Sequence, residues 1–345
     1  MKALVLEGVQ KLILRDVPTP NLVAGGAMIR VMGNGVCRSD WHAWIGDHIR
    51  DYPIVMGHEL AGIVEEVSPG VTRFKKGDRV VVPFSGSDGT CEYCQTGHTN
   101  RCDHKETPGR TYSGGYGEYV CVPMADRNLV SLPDEVSFTD GAALGCRFMT
   151  SYHGLVDRAA VGNGEWVVVY GCGGIGLSAI NIAASIGARV IGVDVNASNL
   201  ALAKTMGADY TVNSRECNPV EAVMEITKGG AHVSVDALGI TETCVNGVNS
   251  LRKGGRHLQL GVTTKKEAGF ISVPIDQMVM RELQIVGSLG MPAHRYDTMI
   301  PLIAKGRLSP GKMVTGEISL SEVEGIFQGM TTSAITGTYV VTKFR

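Results

Sequence analysis

The chain has 345 residues, of which 44% are hydrophobic and 19% charged, with 45 glycines and a formal net charge of −2. That length exceeds what one hydrophobic core normally serves and predicts two domains. The near-neutral charge excludes the electrostatic footprint of a nucleic-acid or anionic-membrane binder, and no apolar run approaches the roughly 20 residues of a membrane span.

Residues 1–146 read as short strands broken by Gly, Pro and Asp, with little helical periodicity; examples are 2–6, 12–15, 27–31, 62–67 and 79–83. The opening alternates like strands and lacks a small-residue cleavage site, so it is not a signal peptide. Without one, the nine cysteines read as reduced thiols and metal ligands in a cytoplasmic protein. From about residue 150 the texture changes. A continuous apolar run at 166–170, helical spacing over 176–186 and a second buried strand at 189–193 begin a βα alternation. It continues through 233–237, 257–261 and 284–288, and implies a parallel sheet with right-handed crossovers. The last fifty residues return to a short helix and a strand at 337–343, expected to pack back on the first domain.

Directly after the 166–170 strand, Gly171, Gly173 and Gly176 form G-x-G-x-x-G and open the helix, with Gly174 and Ile175 between them. The three glycines serve a tight turn, backbone approach to a pyrophosphate, and close helix–strand packing. The helix terminus adds unsatisfied N–H groups and a favourable dipole. The next strand ends in Asp194, whose carboxylate would accept from the adenosine ribose hydroxyls and repel a 2′-phosphate. No Arg or Lys follows until Lys204, so the expected cofactor is NAD rather than NADP.

A second constellation lies in the first domain. GVCRSDWHAWIGD holds Cys37, Ser39, Asp40 and His42; GHELAG holds His58 and Glu59; LGCRF holds Cys146. A catalytic zinc takes three N/S ligands and keeps one position open, which Cys37, His58 and Cys146 would satisfy. Taken singly, each residue reads equally well as packing.

In order along the chain, the C-x-S-D-x-H cluster, the G-H-E-x-x-G signature and the G-C before the glycine turn are similar to those of zinc alcohol dehydrogenases of the medium-chain dehydrogenase/reductase family. The resemblance covers essentially the whole chain. It implies an α/β protein: a GroES-like, mostly-β catalytic domain over 1–147, completed by 291–345, and a Rossmann doubly wound parallel-sheet domain over 148–290. It also implies hydride transfer between an alcohol, aldehyde or ketone and NAD(H). Cys37, His58 and Cys146 would hold the catalytic zinc, with Asp40 orienting His58 and Glu59 behind the metal as an alternative ligand. The alcohol proton would leave through Ser39 and a ribose hydroxyl to His42, whose ordinary pKa suits that step. Arg38 would bind the pyrophosphate, and Trp44, His48 and Phe84 would line the substrate pocket. A homodimer or homotetramer is the expected assembly.

Cys91, Cys94 and Cys102 have the spacing C-x₂-C-x₇-C. Relatives carry a structural zinc on C-x₂-C-x₂-C-x₇-C, and the missing first position is Asp88 here. An Asp–Cys₃ site is harder and weaker than four thiolates; His98, Asp103 and His104 are competing fourth ligands. A second departure is Gly337–Thr338, where many relatives have an arginine. Polyol and amino-alcohol dehydrogenases of the same family are the nearest alternative. Polyol relatives commonly replace the cysteine at 146 by glutamate, so its presence favours simple alcohols. A non-catalytic zinc- and NAD-binding relative would have no use for Ser39 and His42.

Overall fold

The computed structural model describes residues 1–48 and 50–345. The chain divides into two compact units, Met1–Cys146 with Gly290–Gly306 and Val314–Arg345, and Arg147–Leu289 with Arg307–Met313.

The first unit is built on two sheets. Strands β1 (Lys2–Gly8), β2 (Lys11–Asp16) and β4 (Ile54–Val55) form one, in the order β2–β1–β4. The other contains β3 (Ala27–Gly35), β5 (Leu60–Val67), β6 (Arg79–Val82), β7 (Tyr119–Val122), β8 (Val130–Ser131), β15 (Val314–Ser319) and β16 (Thr338–Lys343). Its order is β15–β16–β3–β5–β6–β8, with β7 also paired to β3. The first residues of β5, LAG, are all buried, whereas its second half alternates with polar residues as a half-solvated strand does. Leu4, Leu6, Met56, Tyr116 and Phe327 pack in one apolar cluster.

This half is less purely β than the sequence suggested, because Arg38–Trp44 is a helix. Its seven residues span barely two turns, too few for a periodic apolar signal. Its buried face also carries a charged residue, Asp40, beside Ala43 and Trp44.

The second unit is a six-stranded, wholly parallel sheet of β9 (Trp166–Tyr170), β10 (Arg189–Asp194), β11 (Tyr210–Asn213), β12 (Ala231–Asp236), β13 (Leu251–Gln259) and β14 (Gln284–Gly287). The order β11–β10–β9–β12–β13–β14 reverses direction between β9 and β12, the switch point at which doubly wound sheets bind ligands. Val168, Tyr170, Ile191 and Val193 form much of its core. Residues 307–313 belong to this unit, so the return of the chain to the first unit is interrupted. Ser309 N–H donates to Asn181 Oδ1 at 3.0 Å, and buried Met313 receives the Ser178 hydroxyl at 3.5 Å, pinning that segment to the helix after β9.

Candidate active site

Sheet pairing brings the catalytic candidates of the first unit together. Asn34 of β3 faces Leu60 of β5, and Gly35 N–H donates to Glu59 O at 2.8 Å. Cys37 lies just beyond one strand and His58 just before the other, so the antiparallel register sets them side by side. Cys146 arrives from the opposite end of the unit, after the helix Phe138–Ala143, which packs on β3 and β5. At Gly145 the helical path breaks (φ −43°, ψ −144°), and a Cβ there would overlap Glu59 Cβ and Cγ. Only glycine lets the chain pass that closely.

Ligand atoms of Cys37, His58, Glu59 and Cys146 all lie within 4.8 Å of one another. His58 is 7% exposed and Glu59 fully buried. The His58 Nδ1–H donates to Asp40 Oδ1 at 2.9 Å, which fixes the tautomer and leaves the Nε2 lone pair free to bind a metal. That Nε2 is buried and has no hydrogen-bond partner among the described residues. Two thiols, an imidazole nitrogen and a carboxylate at this spacing suit zinc, whose tetrahedral ligand atoms stand about 3.3–3.8 Å apart. Burial alone would lower the His58 pKa, but Asp40 and Cys37 outweigh it and raise it, so a metal binding at Nε2 would displace a proton.

Asp40 is held from its other side by a residue the motifs did not indicate. Fully buried Tyr116 donates its hydroxyl to Asp40 Oδ2 at 3.1 Å. Burial, then the charges of Asp40 and Glu59, push this phenol well above its usual pKa, so it stays a donor. Tyr116 lies 76 residues from Asp40 with no motif linking them. On the outward face of helix Arg38–Trp44, Ser39 and His42 are three residues apart and share one side. His42 Nδ1–H donates to Asp47 Oδ2 at 2.8 Å, leaving Nε2 as the proton acceptor. Asp47 was also missed, although its distance of five residues was a usable signal. Arg38 stacks 4.7 Å over the Trp41 ring and donates to Met330 O at 3.4 Å.

The three pocket candidates separate. Phe84 meets His58 edge-on at 6.0 Å between ring centroids, and His48 lies 5.2 Å from the His42 ring. Trp44 instead packs in the core, 6% exposed and 5.7 Å from Phe327. As an apolar residue on the inner face of a short helix, it is buried by the same surface that buries Ala43.

The Cys91–Cys94–Cys102 lobe groups three thiols within 4.8 Å, with 3.6 Å between the first two sulfurs. Asp88 stands at its edge: Oδ1 accepts from the Cys102 thiol at 3.3 Å and from Thr90 N–H at 3.0 Å, and Oδ2 accepts from the Thr90 hydroxyl at 2.6 Å. These Thr90 bonds bring its pKa down to about 2, while burial pushes Cys102 up to about 12. His104 Nδ1 is 3.5 Å from Asp88 Oδ2.

In the second unit, the turn 171–173 joins β9 to the helix Gly174–Ile186. A Cβ on Gly176 would overlap the Gly171 carbonyl, which makes the third glycine of the motif obligatory. Asp194 Oδ2 accepts from Cys172 N–H of the turn at 2.7 Å, and Oδ1 from Asn196 N–H at 2.8 Å. The carboxylate thus ties the glycine turn to the end of β10. Cys172 is fully buried, and its thiol is pushed well above its usual pKa by burial and then by Asp194, which makes it inert.

Family models match both units: an alcohol dehydrogenase GroES-like domain over residues 23–134 and a zinc-binding dehydrogenase domain over 174–305. An alcohol dehydrogenase of Geobacillus stearothermophilus is 33% identical over 345 residues, covering 99% of each chain. An NAD-dependent alcohol dehydrogenase of Sulfurisphaera tokodaii is 34% identical over 339 residues, covering 93% of this chain and 94% of its own. The solved structure of alcohol dehydrogenase TADH from Thermus sp. ATN1 superposes with a TM-score of 0.93 at 29% identity, covering 99% of this chain and 100% of the other.

Proposed function

The chain belongs to the zinc-type alcohol dehydrogenases of the medium-chain dehydrogenase/reductase family, and from that premise we propose which residues carry the reaction. It is an NAD-dependent zinc enzyme that moves hydride between an alcohol or carbonyl compound and NAD(H). The observation carrying the assignment is the cluster around His58 Nε2, an orphaned buried nitrogen within 4.8 Å of two thiols and a carboxylate.

Cys37, His58 and Cys146 would hold the catalytic zinc and leave one position for substrate, with Glu59 as the alternative ligand. Bound there, the metal supplies Lewis acidity to the substrate oxygen and the nicotinamide accepts or donates hydride. Asp40 holds the His58 ring in its ligating orientation. Ser39 receives the hydroxyl proton, and His42, oriented by Asp47, delivers it to solvent. Arg38 binds phosphate; Gly171, Gly173, Gly174, Ile175 and Gly176 bring backbone against the pyrophosphate; Asp194 accepts from the ribose. Asp88, Cys91, Cys94 and Cys102 hold a second, structural zinc. Phe84, against His58, favours primary or secondary alcohols with an apolar substituent.

The reduced state required by five ligand cysteines supports a cytoplasmic location. A homodimer or homotetramer is supported by the second unit, where exposed Phe270, Ile275, Val279 and Met280 neighbour in sequence the edge strand β14.

The test is zinc stoichiometry by elemental analysis, paired with NAD⁺ reduction on benzyl alcohol, short alcohols and polyols. Two zinc per chain with turnover on simple alcohols is expected. Preference for polyols would move the substrate class, and a zinc-free chain that binds NADH without turnover would overturn the enzyme assignment. Asp194→Ala combined with Val195→Arg should shift selectivity toward NADP by roughly tenfold or more; unchanged selectivity would remove Asp194 from the ribose site.

A further inference from the structure

Arg50, Lys105 and Arg110 have no role in the site as described so far, and two braced segments of the first unit bring them beside His48. Behind helix Arg38–Trp44, the N–H groups of Asp47 and His48 both donate to His42 O, at 2.8 and 3.2 Å, which sets the His48 ring 5.2 Å from that of His42. The second segment is the turn 107–112. Arg110 N–H and Thr111 N–H both donate to Thr107 O, at 3.1 and 3.0 Å, and Gly109 N–H donates to Tyr112 O at 2.8 Å. Gly109 takes a left-handed φ of +72°, and a Cβ there would lie 3.0 Å from Gly57 N and 3.2 Å from Met56 Cα. Downstream, the N–H groups of Gly114, Gly115 and Tyr116 donate to Val55 O, Gly57 O and Met56 O at 2.7, 2.8 and 2.9 Å. The turn is thus pressed on the residues that lead into His58, and Arg110 stands exposed at its apex.

These basic groups share one field. Partial burial, then the charges of His42, Arg50 and Arg110, hold the His48 imidazole below its ordinary pKa against the pull of Asp47. Partial burial and then Arg110 likewise lower Arg50, against Asp40, and Lys105. The carboxylates beside them are engaged by other groups. Asp47 accepts from His42, Asp40 from His58 and Tyr116, and Glu106 from the Thr111 hydroxyl at 3.0 Å. Arginine stays charged throughout, and gathering like charges costs Coulomb energy that an anion entering among them relieves. At the ligand cluster itself the surface is apolar, since Phe84 stands edge-on to His58.

We propose that His48, Arg50 and Arg110 form an anion-recognition site for the far end of the substrate, so that the enzyme takes alcohols and carbonyl compounds with an apolar middle and a terminal carboxylate or phosphate. This deepens the alcohol dehydrogenase reading and rests on it. In oxidation the hydroxyl-bearing carbon gives a hydride to NAD⁺ and the hydroxyl gives its proton to the Ser39–His42 route, while the anionic group is unchanged. The planar fork of arginine matches two oxygens of either anion, and Phe84 suits the hydrocarbon between the two ends.

The test uses the full-length, zinc-loaded chain and benzyl alcohols carrying a para carboxylate, phosphate ester, carboxamide or aminomethyl group: two anions, a neutral control of similar size and a cation. Hydroxyhexanoate and its amide repeat the comparison on a flexible chain. At least one anionic alcohol should exceed its neutral control in kcat/KM by about 10-fold or more, the range of a charge-assisted hydrogen bond. The larger advantage, carboxylate or phosphate, identifies the group, and it should shrink as ionic strength rises. Arg110→Gln should cut the anion-to-amide ratio by about 10-fold or more, with Tm and zinc content checking that the variant is folded and loaded. Arg110→Glu should reverse the order, so that the aminomethyl alcohol overtakes the carboxylate. A parent chain that turns over anionic and neutral alcohols within about twofold of each other, or a folded Arg110→Gln that keeps the parent's ratio, overturns the anion site while leaving the enzyme assignment standing. A zinc-loaded parent that turns over none of these alcohols overturns the alcohol dehydrogenase reading and the anion site with it.

Discussion

The two candidate metal sites of the first unit are built in opposite ways. Around Cys37, His58, Glu59 and Cys146 the candidate ligands come from the ends of two paired strands and from a segment 88 residues beyond His58, and Asp40 and Tyr116 brace them. The 88–102 lobe is local: a one-turn helix, Glu92–Gln95, and a short turn, Thr99–Arg101, closed largely by its own backbone hydrogen bonds. Where strands and core set the geometry, the ligands are held before the ion arrives, so the ion adds chemistry more than fold. Where a loop sets it, the ion supplies much of the order and its binding free energy becomes folding free energy.

The largest effect separating the regions is expected from Cys37→Ser. Turnover should fall by about 10³-fold or more with loss of one zinc, while NADH binding and Tm change little because β3 and β5 still hold the site. Activity assays and elemental analysis check this; simultaneous loss of both ions would break the contrast.

Tyr116→Phe sharpens it by deleting only the hydroxyl that braces Asp40. Catalytic-zinc affinity, read by competition with a chromophoric chelator, should drop about tenfold, with kcat per zinc-loaded molecule retained. An unchanged affinity would mean that the Asp40–His58 pair is oriented without Tyr116.

The smallest catalytic effect belongs to Asp88→Ala. It should empty the lobe and lower Tm by about 2–4 °C for each kcal/mol lost, leaving kcat per folded molecule unaltered. Asp88→Cys should retain zinc against chelators longer than the parent, since a fourth thiolate is a softer ligand. A lobe that keeps its zinc in Asp88→Ala would remove Asp88 from the ligand set.

Legibility followed the same divide between local and long-range structure. The strand 166–170 and the glycine turn after it were readable because a buried parallel strand is continuously apolar and the turn's glycines are sterically required. The spacing of Cys91, Cys94 and Cys102 was readable for the same local reason. The helix Arg38–Trp44 escaped a periodicity reading because it is short and buries a carboxylate. Trp44 was expected at a pocket and packs in the core, since composition alone does not distinguish an aromatic on a pocket wall from one in the interior.

The amino-acid sequence by itself determined the chemical inventory: the thiol, imidazole and carboxylate ligands, the glycine turn and the carboxylate that ends β10. These follow from residue type and short spacing, which the covalent chain sets directly. Only the tertiary structure decided the partners: Tyr116 on Asp40, Glu59 beneath Gly145, Arg147 across Gly174, and residues 307–313 on the helix Gly174–Ile186 of the second unit. Each joins segments far apart in sequence, and their adjacency comes from strand register and burial, free-energy terms summed over the whole fold rather than encoded at any one position.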